Sequence, residues 1–302
     1  MKIRVIVNGG GGTLPSGEGG EAAIRVAFER LGIDADVRRC APEAISGAFA
    51  EAASAPGLDA VVAGGGDGTV SCAAGHLGGT GRPLGILPLG TLNHLARDAG
   101  IPTGIEEAAG VIAGGSVRTI DVADVNGHVF VNNSAVGLYP EMVRFRDEQQ
   151  ARTGRSKRLA MLSASLRALR SFRRRRLWIS AAGLEAPIRT PLLFVGNNRY
   201  RVNLFALGRR EALDRGELCL YALRARSRAH LFWAGLRGLV GKLDQQRDFV
   251  TGYVPELEIA LGRPMLTLSL DGETVTMQTP LRYRIRPRAL KIIVPEGEAA
   301  AR

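Results

Sequence analysis

Gly64-Gly65-Gly66-Asp67-Gly68-Thr69 joins the makings of an anion cradle to a carboxylate at its centre. Glycines let a backbone come close to phosphate and take up positive φ, and N–H groups at a helix start supply donors and partial positive charge. Asp67 is the odd member. A carboxylate repels phosphate unless a metal ion bridges the two or it handles a proton, so the loop points to phosphoryl transfer rather than nucleotide storage. Two further turns accompany it, Asn8-Gly9-Gly10-Gly11-Gly12-Thr13 and Pro88-Leu89-Gly90-Thr91-Leu92-Asn93. The first is neither a GxGxxG fingerprint nor a Walker loop, and alone reads equally well as a surface turn. In the second, Thr91 offers a hydroxyl and Asn93 an amide beside another helix start, although Thr91 also reads as a plain N-cap.

Each turn follows an apolar run that would position it. Strand-like stretches at Ile3–Val7, Ala35–Arg38, Leu58–Ala63 and Leu84–Leu87 alternate with helix-like stretches at Glu21–Leu31, Pro42–Ala53 and Val70–Leu77. Continuous apolar strands with helical crossovers predict a mostly parallel sheet covered on both faces, with its ligand crevice beyond the carboxyl ends of the strands. Residues 1–122 therefore read as a Rossmann-like α/β nucleotide-binding domain. From 123 to 302 the pattern changes to short β-like runs, at Val129–Ser134, Trp178–Ala181, Leu192–Val195, Leu218–Leu223, Leu257–Ala260, Leu266–Leu270 and Tyr283–Arg286. These predict a mostly antiparallel β domain for the acceptor, with helical interruptions at Arg155–Arg175 and Ser227–Leu243 and the option that the C-terminal tail returns to the first domain.

Composition narrows the partners. A net charge of +11 and a pI near 10.4 attract something anionic, whether nucleic acid, acidic lipid or phosphorylated metabolite. Aromatics are only 5% of the chain, which removes the stacking platform a single-strand binder needs, so nucleic acid is not expected. Cys40, Cys72 and Cys219 have no paired spacing, which speaks against a zinc cluster and fits a reducing compartment. His76, His128 and His230 are too scattered for a metal or catalytic triad. No apolar run is long enough to span a bilayer and no signal peptide is evident, so a cytoplasmic protein is expected.

In combination the turns resemble the catalytic domain of the diacylglycerol kinase and sphingosine kinase family of lipid kinases, most of all its bacterial soluble two-domain members. Gly65-Gly66-Asp67-Gly68-Thr69 and Leu84-Gly85-Ile86-Leu87-Pro88-Leu89-Gly90-Thr91-Leu92-Asn93-His94-Leu95-Ala96-Arg97 carry the likeness. It continues through Ile120-Asp121-Val122, Gly196-Asn197-Asn198, Leu213-Asp214-Arg215-Gly216-Glu217-Leu218 and Asp271-Gly272-Glu273. The resemblance implies ATP, Mg2+ and a lipid hydroxyl acceptor, with diacylglycerol as the default. It maps phosphate binding onto Asn8, Gly9, Gly10, Gly11, Gly12, Gly65, Gly66, Asp67, Gly68, Thr69, Val70 and Thr91, with Asn93 beside them. It also implies Glu273 as the base and Asp67 as a second catalytic residue that organises magnesium, with Asp214 as a further metal candidate. Asp-Gly between two strand-like runs is also an ordinary hairpin signal, and the motif can be both.

The chain departs from that family's pattern at His94, where an Asp is usual, at Arg215 beside Asp214, at Cys40, and in a first turn that lacks Pro and Ser. NAD kinases share the Gly-Gly-Asp-Gly-Thr loop on a similar architecture, but their Asn-Glu motif is unmatched at Asn132-Asn133-Ser134. A regulator that kept the fold and lost catalysis is the non-enzyme alternative, and the joint presence of Asp67 and Glu273 stands against it. For membrane contact, Leu159, Leu162, Leu166, Leu169 and Phe172 form an apolar stripe flanked by Arg155, Lys157, Arg158, Arg167, Arg170 and Arg173–Arg176. Leu231, Phe232, Trp233, Leu236, Leu239 and Val240 form a second stripe, with Phe232 and Trp233 expected in the core. A peripheral enzyme at an anionic bilayer follows, and a homodimer is left open.

Overall fold

The computed structural model describes residues 1–10, 18–143, 175–181, 184–200, 210, 212–225, 227–239 and 245–297. The chain divides into two compact units. The first holds Met1–Val122, His128–Asn132 and Arg286–Arg302, and the second holds Ala123–Gly127 and Asn133–Ile285.

In the first unit, β1 (Lys2–Asn8), α1 (Glu18–Arg30), β2 (Asp34–Cys40), α2 (Ile45–Ser54), β3 (Ala60–Gly65), α3 (Asp67–Leu77) and β4 (Leu84–Pro88) alternate. They are followed by α4 (His94–Asp98), α5 (Ile105–Gly114), most of β5 (Ser116–Val125) and β6 (His128–Phe130). The later residues of β16 (Leu281–Val294) also belong here. The strand order β2-β1-β3-β4-β16 is parallel throughout. Every residue of β3 and β4 is buried, which is why these strands run apolar without alternation. α1 packs with α5 and α2 with α3. Val7 lies opposite Gly64 and Gly64 opposite Leu87, so the turns after β1, β3 and β4 leave the carboxyl ends of adjacent strands at one level.

Two expectations need correcting in this region. The helix predicted from Pro42 opens as a 3-10 turn over Pro42–Ala44, after an extended Ala41, before α2 begins. The single strand predicted over Val129–Ser134 is two, β6 and β7 (Asn133–Gly137), in different units. Between them the chain turns its polar groups onto α3: the Val131 N–H donates to Ser71 Oγ (3.4 Å) and the Asn132 amide donates to Asp67.

In the second unit β7 pairs with β10 (Leu192–Asn197) and β14 (Met265–Leu270), and the order β12-β11-β10-β7-β14-β15 is antiparallel throughout. Here β11 is Leu218–Leu223, β12 Phe249–Val254 and β15 Glu273–Gln278. The opening residues of β16 pair antiparallel with β13 (Glu256–Ala260), then β8 (Arg175–Ala181), then β9 (Leu184–Thr190). Two helices, α6 (Arg228–Leu239) and α7 (Gln245–Asp248), precede β12. Tyr200, Cys219, Tyr221, Leu223, Ala225 and Phe249 form a core cluster on which Leu192, Phe194 and Leu231 pack. Tyr221 meets Phe249 edge-on at 6.1 Å, and burial pushes the Cys219 thiol up to about 12. The basic helix expected over Arg155–Arg175 lies outside the described residues up to 174, and Arg175 itself opens β8. Among the described residues no helix is long and apolar enough to cross a membrane.

Candidate active site

The loop joining β3 to α3 owes its glycines to close approach rather than to torsion. None of Gly64, Gly65, Gly66 and Gly68 has a positive φ, contrary to the expectation drawn from the sequence. A Cβ on Gly65 would fall on Thr69, reaching its Cβ at 2.6 Å. A Cβ on Gly90, in the turn after β4, would strike the Gly66 Cα and come within 2.7 Å of Asn93 Oδ1. The two loops are therefore pressed together backbone to backbone, and the Leu89 N–H donates to Gly65 O at 3.0 Å. Gly66 is the N-cap of α3 and brings no side-chain acceptor to the first-turn N–H groups, the kind of helix start that suits an anion.

Asp67 is half-buried at the first position of α3. Its Oδ1 accepts the His94 backbone N–H at 2.8 Å and the Asn132 Nδ2 donor at 3.1 Å. The contact with residue 94 is through the backbone, so having His rather than Asp there leaves this anchor intact. Asn132, 1% exposed, thus braces Asp67, a part that its sequence context did not assign to it. An amide just past a short apolar run, beside a carboxylate loop in need of a donor, was the available signal.

Asn93 is the N-cap of α4, in the left-handed region at φ 49. Its Oδ1 accepts the Gly90 N–H at 3.0 Å, while Nδ2 donates to Pro88 O at 3.0 Å and Gly90 O at 2.7 Å. The side chain is thus spent on shaping the turn, and the N-cap position that the sequence offered to Thr91 is held by Asn93, with Thr91 exposed two residues before it. On the other flank, Asn8 Oδ1 accepts the Gly10 N–H at 2.9 Å and Nδ2 donates to Thr69 Oγ1 at 3.1 Å. This ties the turn after β1 to the first turn of α3. The Gly9 N–H donates to Cys40 O at 2.9 Å. Val70 is buried in α3, and Gly11 and Gly12 lie outside the described residues.

The remaining motif residues belong to other elements. Asp121 is 1% exposed and its Oδ1 accepts the Arg288 N–H at 2.8 Å, holding that residue at φ 49 in β16. In the second unit, Asp271 (φ 46) and Gly272 (φ 88) form a two-residue hairpin between β14 and β15, with Leu270 paired to Glu273. The turn is locked to β7: Asp271 Oδ1 accepts the Asn133 N–H at 2.8 Å, and the Asp271 N–H donates to Asn133 O at 2.9 Å. Glu273, next in sequence, is exposed. Asn198 Oδ1 accepts the Arg215 N–H at 2.9 Å, and Asp214 beside it is exposed. Asp67 and Asp214 thus belong to different units. Among the described residues no three His, Cys, Asp or Glu side chains gather as a metal set. The single carboxylate of Asp67 beside a backbone cradle fits an ion held chiefly by nucleotide phosphates, the usual manner for magnesium.

Residues 2–125 match the diacylglycerol kinase catalytic domain. Over 292 residues the chain is 31% identical to the probable lipid kinase YegS-like of Pseudomonas aeruginosa, covering 94% of this chain and 88% of that protein. This chain belongs to the YegS-like lipid kinase family. A second relative, from Pseudomonas fluorescens and of the same name, is 31% identical over 255 residues, covering 81% of this chain and 80% of its own. The fold is shared with a diacylglycerol kinase structure from Bacillus anthracis at 18% identity and a TM-score of 0.67, covering 98% of this chain and 97% of that one. Membership makes the chain a phosphotransferase with an alcohol acceptor, built as the family is, with an α/β unit on a mostly parallel sheet and an antiparallel β unit.

Proposed function

We propose that the protein transfers the γ-phosphate of ATP to the hydroxyl of a membrane lipid, with diacylglycerol as the reference acceptor. The observation that carries this reading is the Gly66–Gly90 contact, which brings together two glycine turns, the start of α3 and the Asp67 carboxylate. Asn8, Gly9, Gly10, Gly65, Gly66, Gly68 and Thr69 line or brace this cradle and orient the nucleotide phosphates. Thr91 adds an exposed hydroxyl at the edge of the same cradle. Asp67, with Oδ1 fixed by His94 and Asn132, would offer its carboxylate to the ion that accompanies those phosphates. Magnesium, when bound, neutralises charge on the transferring phosphoryl oxygens. Glu273 takes the acceptor hydroxyl proton, as the family resemblance assigns it, and needs to do so only late in a loose transfer. Asp214 ranks below Asp67 as a metal ligand, being exposed and in the other unit.

The test is direct. Purified protein with magnesium and labelled ATP is incubated with a total lipid extract, and the labelled product is identified by mass spectrometry. A phosphorylated lipid alcohol is expected. Transfer to NAD with no labelled lipid would sink the reading.

A further inference from the structure

The helix α6 carries two large aromatic side chains where a folded core would not leave them. Phe232 is 51% and Trp233 56% exposed, and their rings meet edge-on at 5.9 Å. The sequence reading placed both in the core. The structure corrects this because the helix spends a different side chain inward: Leu231 packs on the Tyr200, Tyr221 and Phe249 cluster. Arg237, one and a half turns on, donates to the buried Asp248 carboxylate at 2.7 Å. With the helix held on that side, Ala229, Phe232 and Trp233, at i, i+3 and i+4, are all exposed.

Charge identifies the occupant. Besides Arg237, which is paired with Asp248, the sequence from Arg224 to Lys242 has Arg224, Arg226, Arg228 and Lys242 and not one acidic residue. An aromatic pair within a purely basic segment suits the headgroup boundary of an anionic bilayer, where rings insert to shallow depth and basic side chains meet lipid phosphates. A protein partner would be expected to answer with acids and a polar rim, whereas a nucleic acid would need the rings spaced for base stacking rather than edge-on to each other.

We infer that α6 is the membrane-docking element of this protein, with Phe232 and Trp233 as its inserting residues. The inference deepens the lipid-kinase reading, since a lipid acceptor resides in such a bilayer, but its test needs no catalysis. Sedimentation with vesicles of phosphatidylcholine and phosphatidylglycerol measures the binding. Phe232→Ala with Trp233→Ala is expected to weaken it about tenfold or more, with thermal midpoint and ATP binding retained. In a Trp178→Phe background, Trp233 emission is expected to shift to the blue on adding the same vesicles and to be quenched by brominated acyl chains. Unchanged vesicle affinity in the double variant, or an emission that vesicles do not move, overturns the inference. So does loss of self-association, rather than of vesicle binding, as the effect of the substitutions. Vesicle binding through these residues without phosphorylation of any lipid would instead sink the kinase reading and leave the docking element standing.

Discussion

The chain uses glycine beside aspartate twice, in the Gly64–Thr69 loop and in the Asp271–Gly272 hairpin, and the two uses have different physical causes. In the first, no glycine needs an unusual torsion, and the absence of Cβ lets the loop lie against Gly90 and fold Thr69 over Gly65. In the second, nothing lies within 4 Å of a Cβ added to Gly272, and its φ of 88 is what a side chain would oppose. One loop is built by contact and the other by twist. The aspartates differ in the same sense. Asp67 collects donors from α4 and from Asn132, chain segments far apart in sequence, whereas Asp271 exchanges hydrogen bonds with Asn133 to fasten a turn to the neighbouring strand.

Substitutions separate the two. Asp67→Asn keeps an Oδ1 acceptor for both of its donors and removes only the charge, so phosphoryl transfer should fall about 10³-fold with thermal stability unchanged, read from single-turnover rates with labelled ATP. Glu273→Gln should cost about 10²-fold in the single-turnover rate, and a variant that transfers phosphate at the full rate would exclude Glu273 as the base. Gly90→Ala drives a methyl into the Gly66 backbone. A loss of about 1–3 kcal/mol is expected, together with weaker ATP binding by calorimetry. Gly272→Ala should cost only about 1 kcal/mol in urea denaturation and leave ATP affinity alone, because its penalty is torsional and local. The smallest response is expected at Cys219, whose thiol, held up near 12 by burial, should be alkylated long after the half-buried Cys40 and Cys72. Its sign is fixed: below the unfolded value of 9.0 the contribution to stability is whole, and it is lost as pH rises toward about 12.

How much of this was legible follows the same division. The β1, β3 and β4 strands and the turns after them could be read because parallel strands buried on both faces are continuous apolar runs, and because glycine clusters mark where they end. The Asp-Gly hairpin was legible as local turn chemistry. The role of Asn132 was not, since it depends on two segments meeting across 65 residues of chain. The break between β6 and β7 was hidden because Val129-Phe130-Val131 runs straight into Asn132-Asn133-Ser134 with no Gly or Pro to mark it. Phe232 and Trp233 were misplaced because periodicity identifies an apolar face but not which side of a helix the core claims.

The 14-residue strand β16 has a consequence for how the protein comes into being. Its closing residues lie beside β4 in the parallel sheet, yet the ribosome makes them after every other described strand of both units. Until they emerge, β4 offers unpaired edge groups and its buried side chains lack part of their cover. The first unit is begun first and closed last, so a chain cut short before Arg286 would be born with that side of β4 uncovered.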